Sequence, residues 1–568
     1  MDARLKLLVV FSIGAFTASP GAATDIVKSR PYTAALNVYS QQKNSYNLKD
    51  SYPKQSRVEK IESKDNNHKI IRSFVAKKIQ VYFNNHLENL STLGLSDLVG
   101  ATITEDKLME LNISLTKHYI KQDYLIPEIS IDNNAMNASA LIIKVKPATI
   151  SNVIIIGEGK DNKLMQEYAE KLKLQTPARK STTQRILGLM NKIPGYEISY
   201  DLVPVTSSSA QENIEVDLII LSSKKKGSIF AGADNLSSND LGKYQFSLLG
   251  EKYTPFTDSD SLVIHGATTN YPERLNDIGV GYNHILNTYG TKADVMVSHA
   301  EDNATLKNSV KTPNTKNNGI KTSLIQQLFL NPSNDLEMEI GTHHHTSTQY
   351  KVNDNNASQK YIVSKYTTGE MGFRYLFKDK LAGSNLVNTT FTHGLKGTNK
   401  NYLDTTPLPK DHFNKYNFSY QREQIITENY SVFAHVMASY SKDIMPDSEQ
   451  AVLGGPVFGR GYDFATLEGR RMTAGSIELR YSKMIEESYL SKLQPYLFAD
   501  YGNVNREKAD TNVSHLESYG AGLRLKFIKN IDLSMEVAQP CKKKFRVDGS
   551  DIKADTKFNV FINKVIEF

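Results

Sequence analysis

Residues 518–527 read Ser518-Tyr519-Gly520-Ala521-Gly522-Leu523-Arg524-Leu525-Lys526-Phe527, and their strict alternation decides the fold. Tyr519, Ala521, Leu523, Leu525 and Phe527 share one face of an extended chain; Ser518, Gly520, Gly522, Arg524 and Lys526 share the other, because successive side chains of a strand point to opposite sides. The period recurs in Tyr430, Val432, Ala434, Val436, Ala438 and Tyr440. It recurs again in Gly475, Ile477, Leu479 and Tyr481 set against Ser476, Glu478, Arg480 and Ser482. The last segment puts Phe558, Val560, Ile562, Ile566 and Phe568 on one face, interrupted by Lys564. An apolar face, a face of charges and glycines, and tyrosines near the ends fit the strands of a transmembrane barrel. From about Gly227 to Phe568 there are about sixteen such segments, an even number as single-chain bacterial barrels require. A soluble β-sandwich or β-solenoid is the competing arrangement of the same pattern.

Composition narrows the alternatives. Hydrophobic residues make up 39% of the 568 and the mean hydropathy is −0.42. No stretch supplies the roughly 20 consecutive apolar residues of a membrane helix, so a helical bundle is excluded. Thirty Tyr and 22 Phe without any Trp fit a water-soluble protein and equally a barrel that turns only alternate residues to lipid. The lone Cys541 excludes an internal disulfide framework and a Cys-based zinc site within one chain. Residues 24–227 carry 28 Lys+Arg against 22 Asp+Glu, whereas residues 228–568 carry 38 of each sign. A modest basic excess spread over a domain is a solvated face. Nucleic-acid binding wants basic clusters interleaved with aromatics; the one run is Lys224-Lys225-Lys226, at a domain junction, so no nucleic-acid partner is expected.

Working toward the N-terminus, residues 73–223 change to a globular α+β pattern that occurs twice. Val75, Ile79, Val81 and Phe83 alternate as a strand with one buried face requires. Thr104 is placed to cap a helix whose Leu108, Leu111, Leu115 and Tyr119 recur on one side. Strands are expected around Tyr124–Ile131 and Ala140–Lys146. The second copy opens with Val153-Ile154-Ile155-Ile156-Gly157, continues through helices on Leu164, Tyr168, Leu172 and on Ile186, Leu189, Ile193, and is stopped by Pro194-Gly195. Strands Tyr196–Leu202 and Ile214–Ile220 follow. Each unit of about 75 residues reads strand–helix–helix–strand–strand, a size within the range of small domains. Residues 24–72 are polar and without sustained period, a linker expected to be mobile or only locally helical. Arg4 and Lys6, the apolar run from Leu7 to about Ala18, and Gly21-Ala22-Ala23 read as a secretory signal peptide over residues 1–23, its apolar run too short to span a bilayer permanently; an anchored helix is the competing reading.

Enzyme chemistry is not legible. Of His343-His344-His345, the first and third share a strand face, but a metal site needs further ligands and a second shell. Gly157-Glu158-Gly159-Lys160 lacks phosphate-loop spacing and reads as a turn. One loop stands out: Leu453-Gly454-Gly455-Pro456-Val457-Phe458-Gly459-Arg460-Gly461-Tyr462-Asp463, four glycines and a proline around one arginine. Such a loop is shaped by backbone geometry. Downstream, Pro495-Tyr496-Leu497-Phe498-Ala499-Asp500-Tyr501-Gly502 alternates so that Tyr496, Phe498 and Asp500 face the lumen if Leu497, Ala499 and Tyr501 face lipid. A carboxylate so placed can pair with a guanidinium on a loop folded inside the pore; spacing alone leaves Asp500 as one of many lumen charges.

The Gly454–Tyr462 loop resembles the V-R-G-[FY] signature of the outer-membrane translocase and assembly superfamily, and Phe498-Ala499-Asp500-Tyr501-Gly502 resembles its F-x-D-x-G. The paired α+β repeats look like POTRA domains. Two repeats, the strand number, Pro194-Gly195-Tyr196, and Asp234-Asn235 in Asp234-Asn235-Leu236-Ser237-Ser238-Asn239-Asp240-Leu241-Gly242 are most similar to the two-partner secretion transporters of the haemolysin-activator type. The chain departs from the pattern at Gly459, where the family has Val, in its lack of Trp, and in offering no clear plug helix within 24–72.

The resemblance implies an all-β transmembrane barrel of about sixteen antiparallel strands over residues 225–568, preceded by two periplasmic POTRA-like domains at 73–148 and 149–224. It implies an outer-membrane translocase of a Gram-negative bacterium that exports a large partner polypeptide, of haemolysin or adhesin type, without ATP. The chain would act as a monomer in outer-membrane lipid, with no catalytic residue, cofactor or metal. Gly459, Arg460, Gly461 and Tyr462 would form the lumen-loop motif and Phe498, Asp500 and Gly502 its partner on the wall. An insertase that assembles outer-membrane proteins and a passive porin-like channel are the alternatives.

Overall fold

The computed structural model describes residues 54–55, 74–131, 140–205, 214–237, 241–303, 314–352, 358–402, 411–485, 489–505, 514–547 and 550–568. The expected signal peptide and nearly all of the expected linker, with any plug segment, lie outside the described residues. The chain divides into Ser51–Lys224 and a unit holding Lys225–Phe568.

The first unit is one mixed sheet with helices. Its principal strands are β1 (Lys54–Gln55), β2 (Lys78–Phe83), β3 (Pro127–Ile131), β4 (Ala140–Gly157), β5 (Tyr196–Pro204) and β6 (Ile214–Lys224). The helices are α1 (Glu105–Lys121), α2 (Lys163–Lys173) and α3 (Lys180–Asn191). Thr104 caps α1 by accepting from the Lys107 N–H at 3.3 Å, and Asn162 caps α2 through the Met165 N–H at 2.9 Å; each side chain satisfies a donor that the first helical turn leaves open. Leu108, Leu111, Leu115 and Tyr119 bury one face of α1 against Ile79, Val81, Leu141 and Ile143.

Four details differ from the sequence reading. The strands expected at Ala140–Lys146 and Val153–Gly157 are a single strand, β4, so the expected 148/149 boundary falls inside it. Its first half pairs with β2 and β3 and its second half with β6; every residue between the two apolar runs can be extended, and Pro147 sits where β4 begins to change partners. The strand expected through Val75 breaks at Ala76, leaving Val75 exposed. The first copy has one α-helix and, before it, only the 3₁₀ turn Ser96–Leu98 among the described residues; Gly94, at φ +67°, interrupts the short apolar run ahead of it. The expected linker also supplies β1, whose Lys54 and Gln55 pair in parallel with Ser199 and Tyr200 of β5. An edge strand offers unpaired N–H and C=O groups that accept such an addition.

The second unit is a closed antiparallel barrel. Its strands are β7 (Gly227–Asp234), β8 (Gln245–Tyr253), β9 (Asp260–Thr269), β10 (Leu275–Ile285), β11 (Thr291–Asp302), β12 (Asn314–Asn331), β13 (Asn334–Val352) and β14 (Ser358–Lys378). They continue as β15 (Gly383–Asn401), β16 (Asn414–Ile425), β17 (Tyr430–Ser441), β18 (Arg471–Tyr481), β19 (Leu490–Asn505), β20 (His515–Phe527), β21 (Ile531–Pro540) and β22 (Lys557–Glu567). Lys483–Met484 lengthens the β18 column against β19. Each pair is next in sequence except the closing one, where β7 meets β22 from Ser228–Glu567 to Asp234–Phe561. Asn235 prolongs that seam with its side chain: its amide donates to the Phe558 carbonyl and accepts from the Val560 N–H, both at 2.7 Å.

The alternation behaves as the residues dictate. On β19, Leu497 and Tyr501 are exposed outward while Tyr496, Phe498 and Asp500 are buried toward the lumen. Tyr519, Phe558, Ile562 and Ile566 likewise face outward. The 21 residues of β14 exceed the roughly 9–11 that cross a bilayer, so the long strands project beyond the apolar band.

Candidate functional site in the barrel lumen

The segment between β17 and β18 folds into the lumen. Ala451–Leu453 and Leu467–Gly469 pair as a short hairpin, and between them the chain turns on Gly454, Gly455 and Gly459, all at positive φ. Gly459, at +77°, holds a left-handed conformation that the family's valine would adopt only with strain. Gly461 lies so close to β21 that a Cβ would stand 2.7 Å from the Pro540 nitrogen. Gly502, on the wall, leaves room for Leu453 of the same hairpin.

This turn delivers Arg460, which is 5% exposed. Its Nε and Nη2 donate to Asp500 Oδ2 and Oδ1 at 3.0 and 2.7 Å. Nη1 donates to Glu478 Oε1 at 2.8 Å and Glu536 Oε2 at 3.1 Å. Nη2 also reaches Ser476 Oγ at 2.9 Å. The five donors of a guanidinium therefore meet acceptors on three strands, β18, β19 and β21. The Arg460 N–H and the Ser518 hydroxyl add two further hydrogen bonds to Asp500, each 3.1 Å. Phe498 lies under the guanidinium, 3.5 Å from ring centre to Cζ.

Around this contact is a second ring of charge. Glu478 also accepts from Arg480 Nε at 2.7 Å and Arg524 Nη1 at 3.0 Å. Arg524 lies over Tyr496, whose hydroxyl donates to Glu536 at 2.9 Å. Three guanidinium groups thus interlock with four carboxylates, the fourth being Glu423, 3.4 Å from Arg480 Nη1. Charge-assisted and bidentate bonds are the stronger class, and the mutual pairing offsets the large cost of desolvating each ion. Tyr462 anchors the other side of the turn: its hydroxyl donates to the Glu517 carbonyl and accepts from the Lys542 N–H, both at 3.0 Å. Its ring packs with Phe458, Leu467, Leu516 and Phe545 in an apolar cluster.

All seven residues singled out from the sequence converge here: Gly459, Arg460, Gly461 and Tyr462 on the loop, Phe498, Asp500 and Gly502 on β19. Spacing did not single out Glu478, Glu536 and Ser476 as partners of Arg460. The signal for Glu478 and Ser476 was present, since both sit on the polar face of the Gly475–Ser482 alternation. His343 and His345 face the lumen with ring centres 3.5 Å apart, and no His/Cys/Asp/Glu group able to hold a metal is found among the described residues.

The lumen of a closed barrel of sixteen main strands thus holds an arginine-tipped loop bound to its inner wall. The family model for haemolysin secretion/activation protein ShlB/FhaC/HecB matches residues 216–525, more than half the chain, and the protein belongs to that family, the outer-membrane translocases of two-partner secretion. It resides in the outer membrane of a Gram-negative bacterium and serves a large secreted partner protein. No curated protein matches the sequence. Among solved structures, CdiB from Escherichia coli is 17% identical with a TM-score of 0.69, covering 96% of this chain and 99% of that one. CdiB from Acinetobacter baumannii is 14% identical, TM-score 0.63, over 98% and 100%. BamA from Haemophilus ducreyi lacking POTRA domains 1–3 is 12% identical, TM-score 0.51, over 87% and 100%. At these identities the likeness is one of fold.

Proposed function

We propose that the Arg460 loop is the gate of the export path. In the resting protein it lies across the lumen and is held to β18, β19 and β21; during export it gives way to the partner polypeptide, which threads the barrel without ATP and folds outside. Residues 73–224 act as two POTRA-like domains in the periplasm, and they capture the unfolded partner by adding its extended backbone to a sheet edge. The pairing of Lys54–Gln55 with β5 supports this, because that edge already accepts a strand from outside its sheet. The barrel works as a monomer in outer-membrane lipid, which its outward tyrosines and aliphatic residues contact. No step requires a catalytic residue or cofactor.

The observation that carries the reading is the engagement of all five Arg460 donors by the wall, an arrangement that fixes one loop position. Planar-bilayer recordings test it. The intact protein should conduct little and Arg460→Ala should open more often and more widely; identical conductance in both would overturn the gate.

A further inference from the structure

The loop is held at a second place that the signature motifs do not include. Between β17 and its short hairpin, residues 443–449 run along a different arc of wall, β13 to β16. Met445 is buried with Tyr366 and Phe413. Asp443 accepts from the Asn414 N–H at 2.9 Å. Glu449, 2% exposed, pairs with Lys415 Nζ, whose residue is fully buried. The Tyr366 hydroxyl donates to Glu449 Oε1 at 3.1 Å and contacts Ser448 Oγ at 2.6 Å. His345 completes the surroundings, its Nε2 3.9 Å from the same carboxylate oxygen and its ring stacked on Tyr366.

We infer that Glu449 is a second latch of the loop, a positioning residue that holds the rising limb on β14 and β16 while Arg460 holds the tip on β18, β19 and β21. The two anchors lie on opposite sides of the loop's roots. Release at the tip alone leaves the limb, and everything up to Ala451, fixed on the wall. Clearing the lumen therefore requires both to part. The inference rests on the gate reading, and the two can fail separately.

The test uses the full-length protein in planar bilayers, with heat-modifiable gel mobility reporting barrel assembly. Glu449→Gln removes the charge that Lys415 needs and should raise the open fraction about fivefold, the factor expected when a closed state loses one modest contribution. Tyr366→Phe deletes only the hydroxyl and gives a milder cut in the same direction should Glu449→Gln fail to assemble. Lys415→Arg should stay closed whereas Lys415→Met should open, a distinction that a merely space-filling role would not make. Glu449→Gln combined with Arg460→Ala should open more than Arg460→Ala alone. If Arg460→Ala opens the channel and neither Glu449→Gln nor Tyr366→Phe adds to it, the latch is overturned and the gate stands. If Arg460→Ala itself changes nothing, both are overturned.

Discussion

Arg460 sits over the ring of Phe498 with its guanidinium carbon 3.5 Å from the ring centre, so the residue that carries the loop's charge is also the one that rests on the wall's aromatic surface. Both faces of the contact can be cut separately. Phe498→Leu keeps the hydrogen bonds and removes the cation–π attraction, worth about 2 kcal/mol where the pair is desolvated. Partner secretion should fall moderately while the barrel still migrates as a folded species; an unaltered yield would remove Phe498 from the account.

Breaking the ion pair should cost more. Arg460→Ala leaves three carboxylates facing one another, and Asp500→Ala leaves an arginine short of its bidentate partner. Removing one member of a buried pair costs ~3–5 kcal/mol. Each single variant should lower secretion strongly, and the double variant should be little worse than either. Additive losses in a secretion assay would contradict the coupling. Arg460→Lys should rescue only in part, because one ammonium cannot serve Asp500 through a fork and also reach Glu478, Glu536 and Ser476.

At the seam, Asn235→Ala loses two hydrogen bonds to the β22 backbone, each worth about 1 kcal/mol. The temperature at which the folded band disappears on unboiled gels should fall by several degrees. An unshifted transition would show that β7 and β22 are held by their ladder alone.

The α+β unit carries its own pH signature. The Tyr168 hydroxyl is buried and meets no hydrogen-bond partner among the described residues, and burial pushes its pKa well above the ordinary tyrosine value. Below pH 10 both folded and unfolded forms are protonated and the group is neutral to stability. As pH rises past about 10 the unfolded chain ionises first and stability drains away. Residues 51–224 expressed alone should unfold progressively above that pH by circular dichroism. Tyr168→Phe should lessen the loss, Tyr119 and Tyr200 keeping a share of it because burial raises them too, and should leave neutral-pH stability equal or higher; an unchanged or steeper loss would refute the assignment.

Deleting residues 73–224 should abolish export while leaving a heat-modifiable barrel in the membrane. Continued secretion by the truncated chain would remove these domains from substrate capture.

Much of this architecture was legible because a barrel wall is written in a period of two. The placement of Asp500 and Phe498 inward, and of Leu497 and Tyr501 outward, follows from that alternation. Arg460 was legible for another reason, its crowd of glycines. Glu478 and Glu536 were not, because the pattern says only that a carboxylate faces inward; which loop atom it meets depends on strand order and register across β18 to β21. Glu449 was hidden further, in a short irregular run with no period to place it. The merging of two expected strands into β4 escaped for a related reason: Pro147 and the polar Ser151-Asn152 look like a boundary, and only the change of partner from β3 to β6 keeps the chain extended through them.

The interlocked set of Arg460, Arg480 and Arg524 with Asp500, Glu478 and Glu536 has a further meaning for whatever passes it. With the loop in place, three positive and three negative groups cancel, and only Glu423, 3.4 Å from Arg480 Nη1 at the edge of the set, is left over. Under the gate reading Arg460 departs before anything passes, and Arg480 and Arg524 then face Asp500, Glu478, Glu536 and Glu423, two positive charges against four negative. A lysine-rich stretch of a travelling chain would be drawn to the wall that Arg460 has left and an aspartate-rich one pushed from it, so the carboxylates that hold the loop in place would become a charge-selective surface once it leaves.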